Sequence, residues 1–284
     1  MRASWAFAGL LGLTFCAAAA HAQITNPIDL GSSEADNTSS TSLAVTTLAN
    51  VPAGSSIIVI ADSSSDSNGN QRNSAICSDG ANTYHTDVSQ IGGARDFTTI
   101  CSTHVIASQL DAGGEITITW TGGSGPWFQR LHAFAVTGLA AAPLDQTATR
   151  AGFNFTPSSG ATATTVQGNE LLFAAITVYD SVSLGANGTA NNCASGTPSY
   201  TSLGSVGDGA PSLVGMFCIV STTGAYSANA TLGAPGTNLW QLALATYKAP
   251  PPPPAPTLGT KALLLLSGGL ALAGLIVMRR RLAR

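Results

Sequence analysis

Glu115-Ile116-Thr117-Ile118-Thr119-Trp120-Thr121 alternates strictly between polar and apolar side chains. In an extended chain successive side chains point to opposite faces. Ile116, Ile118 and Trp120 therefore share one face, and the polar residues share the other. The stretch predicts a β-strand with one buried and one wet side. Further strand candidates lie around it. Ser56–Ala61 and Glu170–Val178 are short apolar runs rich in Ile, Val and Leu, the pattern of buried strands. Thr98–Ala107, Ser212–Val220 and Leu239–Tyr247 read similarly. Turn-forming clusters separate these candidates, such as Asp111-Ala112-Gly113-Gly114 and Gly233-Ala234-Pro235-Gly236.

Composition points the same way. Only 9% of the residues are charged and 31 are glycine. Between Gln23 and Ala249, Glu occurs only at 34, 115 and 170, and Lys only at 248. Helix formers are too sparse for helices, while β-branched and small polar residues abound. This central region holds all 14 acidic residues of the chain but only Arg72, Arg95, Arg130, Arg150 and Lys248 as bases, a balance of −9. Such a surface lacks the basic footprint that nucleic acid requires.

The strands recur. Cys77-Ser78-Asp79-Gly80-Ala81-Asn82-Thr83-Tyr84 resembles Cys193-Ala194-Ser195-Gly196-Thr197-Pro198-Ser199-Tyr200, and Cys101 matches Cys218. Pro52–Ala61 aligns with Gln167–Ala175, and Trp127–Val136 with Trp240–Tyr247, in preserved order. A repeat of short strands predicts an all-β fold, an antiparallel, jelly-roll-like β-sandwich with two similar halves. One large jelly roll and two stacked sandwiches both satisfy it. The reading divides the body into an N-terminal linker at 23–40, a first copy at 41–147, a linker at 148–160 and a second copy at 161–248. The repeat also selects one cysteine pairing of three, Cys77–Cys101 with Cys193–Cys218, because equivalent copies close equivalent loops. No Cys-x-x-Cys pair supports a metal site, and no cofactor is indicated.

The two ends differ from the body. Arg2, an apolar run from Ala3 and Ala20-His21-Ala22 predict a signal peptide over 1–22, cleaved before Gln23. Cys16 offers a lipoprotein alternative, but bulky Phe15 precedes it. At the far end, Pro250 to Pro254 and Pro256 predict a stiff spacer over 249–261. Ala262–Met278 is uncharged and, as a helix, about 26 Å long, which predicts a transmembrane helix. Arg279-Arg280-Arg281 follow and place the 279–284 tail in the cytoplasm with the body outside.

The order of Pro motif, apolar helix and Arg cluster resembles the PEP-CTERM and IPTL-CTERM sorting signals of Gram-negative bacteria. Pro256, Thr257 and Leu258 match the Pro-Thr-Leu core of the IPTL form. Ala255 stands for the usual Ile, and Gly259-Thr260-Lys261 for Ser-Glu-Trp. The resemblance implies an exosortase-like partner enzyme, passage across the inner membrane, and anchorage followed by transfer to the cell surface. The body resembles uncharacterised secreted bacterial β-sandwich proteins through Asp79-Gly80-Ala81-Asn82-Thr83-Tyr84, Pro143-Leu144-Asp145-Gln146 and Gly168-Asn169-Glu170-Leu171-Leu172. That resemblance implies fold and export, and no activity.

Catalytic signatures are absent. There is no G-x-S-x-G or H-E-x-x-H. His85, His104 and His132 lie on separate strand candidates and read as isolated. Arg130 and His132 share a strand face, expected to be an exposed edge. Glu170 reads as a solvated strand end. Asp62 to Asn70 resembles part of a Ca²⁺ loop but lacks the distal bidentate acid. Trp127 and Trp240 are the candidate ligand-binding residues, as a sugar-stacking platform or, alternatively, as core plugs. The sequence thus predicts a non-catalytic surface or matrix protein, held at a membrane or sorted by its tail. The alternative is a carbohydrate-binding module for extracellular polysaccharide, and the third reading is an enzyme acting on such a polymer.

Overall fold

The computed structural model describes residues 23–65, 72–92, 96–123, 125–178, 200–207, 211–232, 239–251 and Arg279. Alternating or wholly apolar runs form strands wherever turn residues bound them. They are β1 (Ile28–Thr38), β2 (Ser42–Thr46), β3 (Ser56–Ser64), β4 (Ser74–Ser78), β5 (His85–Gly92), β6 (Asp96–Ser102), β7 (Glu115–Thr121) and β8 (Trp127–Val136). β9 (Leu144–Gly152), β10 (Glu170–Val178), β11 (Thr201–Val206), β12 (Ser212–Val220) and β13 (Trp240–Lys248) follow. All pairings between them are antiparallel.

The first eight strands make a sandwich. One sheet has the order β1-β8-β3-β6-β5 and the other β2-β7-β4. The sequence 1-8-3-6 against 2-7-4 is that of a jelly roll, with β5 carried on the larger sheet. The remaining strands form one sheet in the order β11-β12-β10-β13-β9. There β9, β10, β11, β12 and β13 take the places of β1, β3, β5, β6 and β8. Its outer face is covered by two extended segments joined by hydrogen bonds from Ser159 to Ala228, Thr162 to Tyr226, Ala230 to Pro157 and Leu232 to Phe155. They stand where β2 and β7 stand in the first sandwich.

The two large sheets pack against each other, with β5 against β9 and β1 against β11. The strand order is therefore reversed across the contact, as a twofold relation between the halves requires. Three cores result. One lies between the sheets of the first sandwich and includes Val59, Phe97, Ile118, Trp120 and Leu131. The second joins the two large sheets through Ile58, Ile60, Phe134, Phe173, Phe217 and Tyr247. The third, with Leu172, Ile176, Met216, Tyr226 and Trp240, lies under the extended segments. Sheets covered on both faces explain why β3, β10 and β12 carry continuous apolar runs rather than alternation, and why β6 is buried along its whole length.

The ladders fix the register of the repeat. Cys101, Val59 and Ala133 form one row across β6, β3 and β8. Cys218, Leu172 and Thr246 form one row across β12, β10 and β13. Trp127 lies six residues before Ala133, and Trp240 six before Thr246. The cysteine and tryptophan matches are thus mutually consistent. The β3 match moves by two residues, so that Val59 rather than Ile57 corresponds to Leu172.

A disulfide joins Cys77 on β4 to Cys101 on β6, across the first sandwich. Cys218 is also disulfide-bonded, and Cys193, its expected partner, lies outside the described residues.

Several expectations are corrected. Residues 23–40 are not merely a linker, because β1 supplies an edge of the first large sheet. The 148–160 linker is partly strand, since β9 runs to Gly152. The expected transmembrane helix at 262–278 lies outside the described residues, as do the signal peptide, Pro256, Thr257, Leu258, Arg280 and Arg281. Arg279 is described, as an exposed residue. No helix among the described residues is long and apolar enough to cross a membrane. The apolar runs that are described are used up in closed β-cores. The membrane-anchored reading, with its bilayer partner, exosortase-like enzyme and tail-directed surface localisation, is accordingly not carried forward.

Candidate functional site

The edge of the first sandwich, where β1 and β2 run side by side, holds an open groove of about 430 Å³. Asp29, Ser32, Ser33, Thr46 and Leu48 line it. A β-bulge between Asp29 and Gly31 shapes its wall. Gly31 has φ +118°, and a Cβ there would lie 3.1 Å from the Thr46 carbonyl oxygen. Glycine is required both by the backbone conformation and by the approach of the two strands. The bulge turns Asp29 outward while its Oδ1 accepts a 2.7 Å bond from the Gly31 amide.

The same oxygen lies 3.0 Å from His132 Nε2 on β8. His132 is buried and its ring packs on Phe134 at 4.2 Å. Desolvation lowers the His132 pKa, against the opposing pull of Asp29. The ring is then neutral at pH 7, so Nε2–H donates to Asp29. Asp29 is fixed from two directions, yet its side chain remains 58% exposed. Among the described residues nothing engages its Oδ2.

Further along β1 the charges continue inward. Arg130 Nη1 is 2.6 Å from Asp36 Oδ1, and its Nε is 3.4 Å from Glu34 Oε2. Directly opposite Arg130 on β3 stands Asp62, wholly buried. Burial pushes Asp62 up to about 7, although Arg130 and a bond from Ser64 oppose the shift. Asp62 Oδ1 has no hydrogen-bond partner. Arg130 therefore pairs with two exposed carboxylates and stands across the ladder from one buried carboxyl.

The second sandwich shows what these residues are not needed for. The row Thr98–Asp62–Arg130 corresponds, by the register above, to Gly215–Ala175–Ala243. His132 corresponds to Ala245, and Asp29, beside its bulge, to Leu144 beside a bulge in β9. The same sheet forms without any of the charges.

Other predicted residues fall elsewhere. Trp127 and Trp240 are 1% and 2% exposed and cannot stack on a ligand. Trp127 lies under the Arg72 guanidinium at 3.9 Å, and Trp240 Nε1 donates to Asn154 Oδ1. Trp120 is equally buried. Arg130 and His132 are buried, not on an exposed edge, because β11 and β12 of the second sheet face them. Glu170 is buried rather than solvated, and desolvation raises it to about 7. Asp62 belongs to the inter-sheet cluster rather than to a cation loop, and residues 66–71 lie outside the description. Among the described residues no three His, Cys, Asp or Glu side chains converge as metal ligands. His85 and His104 are not isolated, since their rings stack at 4.0 Å. Asp29 and the groove went unnoticed in the sequence, where only Gly31 flags a bulge.

No family model matches the chain, and no curated protein is similar to it.

Proposed function

We propose that the protein is a non-catalytic carbohydrate-binding module that takes a glycan in the groove between β1 and β2. The observation that supports this reading most directly is Asp29, exposed in the groove but fixed by the Gly31 amide and His132. A held carboxylate accepts two hydroxyl donors from a sugar at little entropic cost. Ser32, Ser33 and Thr46 supply further hydroxyls, and Leu48, 72% exposed, offers an apolar flank to sugar C–H groups. The jelly-roll architecture agrees only by analogy, since lectin domains use it. Glycoside hydrolysis needs carboxyl groups on both sides of the scissile bond, and the groove lining presents Asp29 alone as an acid.

A glycan array followed by calorimetry tests the proposal. The expected result is binding of a defined glycan that falls at least tenfold in Asp29→Asn, where one acceptor oxygen becomes a donor amide. Absence of binding to any glycan, or equal binding by the variant, would overturn it.

A further inference from the structure

At the opposite end of the first sandwich, β5 begins with His85 and a second bulge falls between Thr86 and Val88. The bulge places Asp87 so that its side chain is fully buried against the second sandwich. Asp87 Oδ2 accepts a 2.7 Å bond from Tyr247 on β13. Its Oδ1 lies 3.8 Å from His104 Nε2, and neither atom has a hydrogen bond. His104 sits in the turn after β6 with φ +57°, in the left-handed region that non-glycine residues seldom adopt. Its ring stacks on that of His85 at 4.0 Å and 14°. His85 is exposed. Ser102, on β6, is the remaining polar group facing Asp87.

We propose that the stacked His85–His104 pair is a proton-sensitive latch that holds the 103–106 turn on the first sandwich and releases it in mild acid. Asp87 faces the stack and favours a first proton there, although burial makes its own carboxyl harder to ionise, against the opposing pull of Ser102, Tyr247 and the two histidines. Two imidazolium rings in contact repel, and the second proton must separate them. His104 is already less basic than an ordinary imidazole, through burial first and then through His85, with Asp87 opposing. Once the ring leaves, nothing in this cluster holds residue 104 in its strained backbone conformation. The turn is otherwise fixed at Thr103, whose amide donates to the Ile57 carbonyl and whose hydroxyl accepts from the Ile57 amide, and beyond residue 104 by bonds from the Ile106 amide to the Ser55 carbonyl and from the Gly54 amide to the Ile106 carbonyl. Ile106 is therefore the reporter.

Histidine NMR titration and amide hydrogen exchange on the whole protein test the latch. His104 is expected to titrate below an ordinary imidazole. Protection of the Ile106 amide, corrected for intrinsic exchange, should fall at least tenfold between pH 7 and pH 5. His85→Phe preserves the stack but removes the second charge, and should keep Ile106 protected across that range. His104→Asn tolerates the left-handed backbone and should remove the pH dependence while the protein stays folded. The latch is refuted if His104 titrates as an ordinary imidazole. It is equally refuted if Ile106 protection ignores pH, or if either variant shows the wild-type pH response.

Discussion

The two halves of the protein build the same five-stranded sheet with opposite chemistry on the face they share. The first offers Asp62, Arg130 and His132, while the second offers Ala175, Ala243 and Ala245 at matching ladder positions. A twofold contact sets each off-axis position of one face against a different position of the other. Here large side chains meet small ones, as where Ile60 reaches Gly215 so closely that a Cβ there would stand 2.9 Å from it. Divergence of the copies has made the contact complementary in shape. It has also confined charge to one copy, next to the groove.

Breaking the comparison at its centre should have the largest effect. Arg130→Ala gives the first sheet the residue found at the matching position in the second, but leaves Asp62 buried without its counter-charge. A loss of about 3–5 kcal/mol is expected in urea denaturation at pH 8. Adding Asp62→Ala should recover part of it, since the row then resembles Gly215–Ala175–Ala243. A double variant as unstable as the sum of the singles would mean that the two residues are not coupled.

The pH dependence of Asp62 comes next. Burial pushes Asp62 up to about 7, from 3.8 for a free carboxyl. The folded state therefore binds the proton more tightly. The stability this contributes is complete below pH 4 and is lost as pH rises to 7. The difference between wild type and Asp62→Asn should change across that window by an amount on the order of 4 kcal/mol, and level off above it. A difference independent of pH would show that Asp62 is not perturbed. Replacing Cys77 and Cys101 together with Ser should cost about 3 kcal/mol by chain entropy, measured the same way.

How much of this could be read from the sequence follows from the same contrast. Glu115–Thr121 alternates because one face of the small sheet is wet, so strand and core face were both legible. The repeat was legible because Cys and Trp keep fixed ladder positions. Arg130 and His132 read as an exposed edge because their burial depends on β11 and β12, strands far along the chain that nothing in the local sequence announces. Glu170 was misread for a similar reason. Lys248 is its direct ladder partner and Asp145 acts on it electrostatically, so its surroundings are non-local. The stacked histidines were invisible because two turns and a bulge bring them together. Asp29 is not legible because a single acid near the start of a strand carries no signal until the groove is formed.

The smallest expected effect is the one that separates fold from function. Asp29→Asn keeps an oxygen that can accept from the Gly31 amide and from His132, so the bulge persists. The unfolding free energy at pH 7 should change by no more than about 0.5 kcal/mol, as for other exposed positions. The lost charge should appear instead at His132. Asp29 supports the protonated ring, so its removal must lower the His132 titration further, as NMR would show. A group depressed in the folded state gives stability that is present above its unfolded pKa and lost as pH falls through the folded one. The variant should therefore lose stability over a wider acidic range than wild type. If it instead unfolds readily at neutral pH, Asp29 is a structural residue like its counterpart Leu144, and the groove has lost the one feature that sets the first sandwich apart as a binding face.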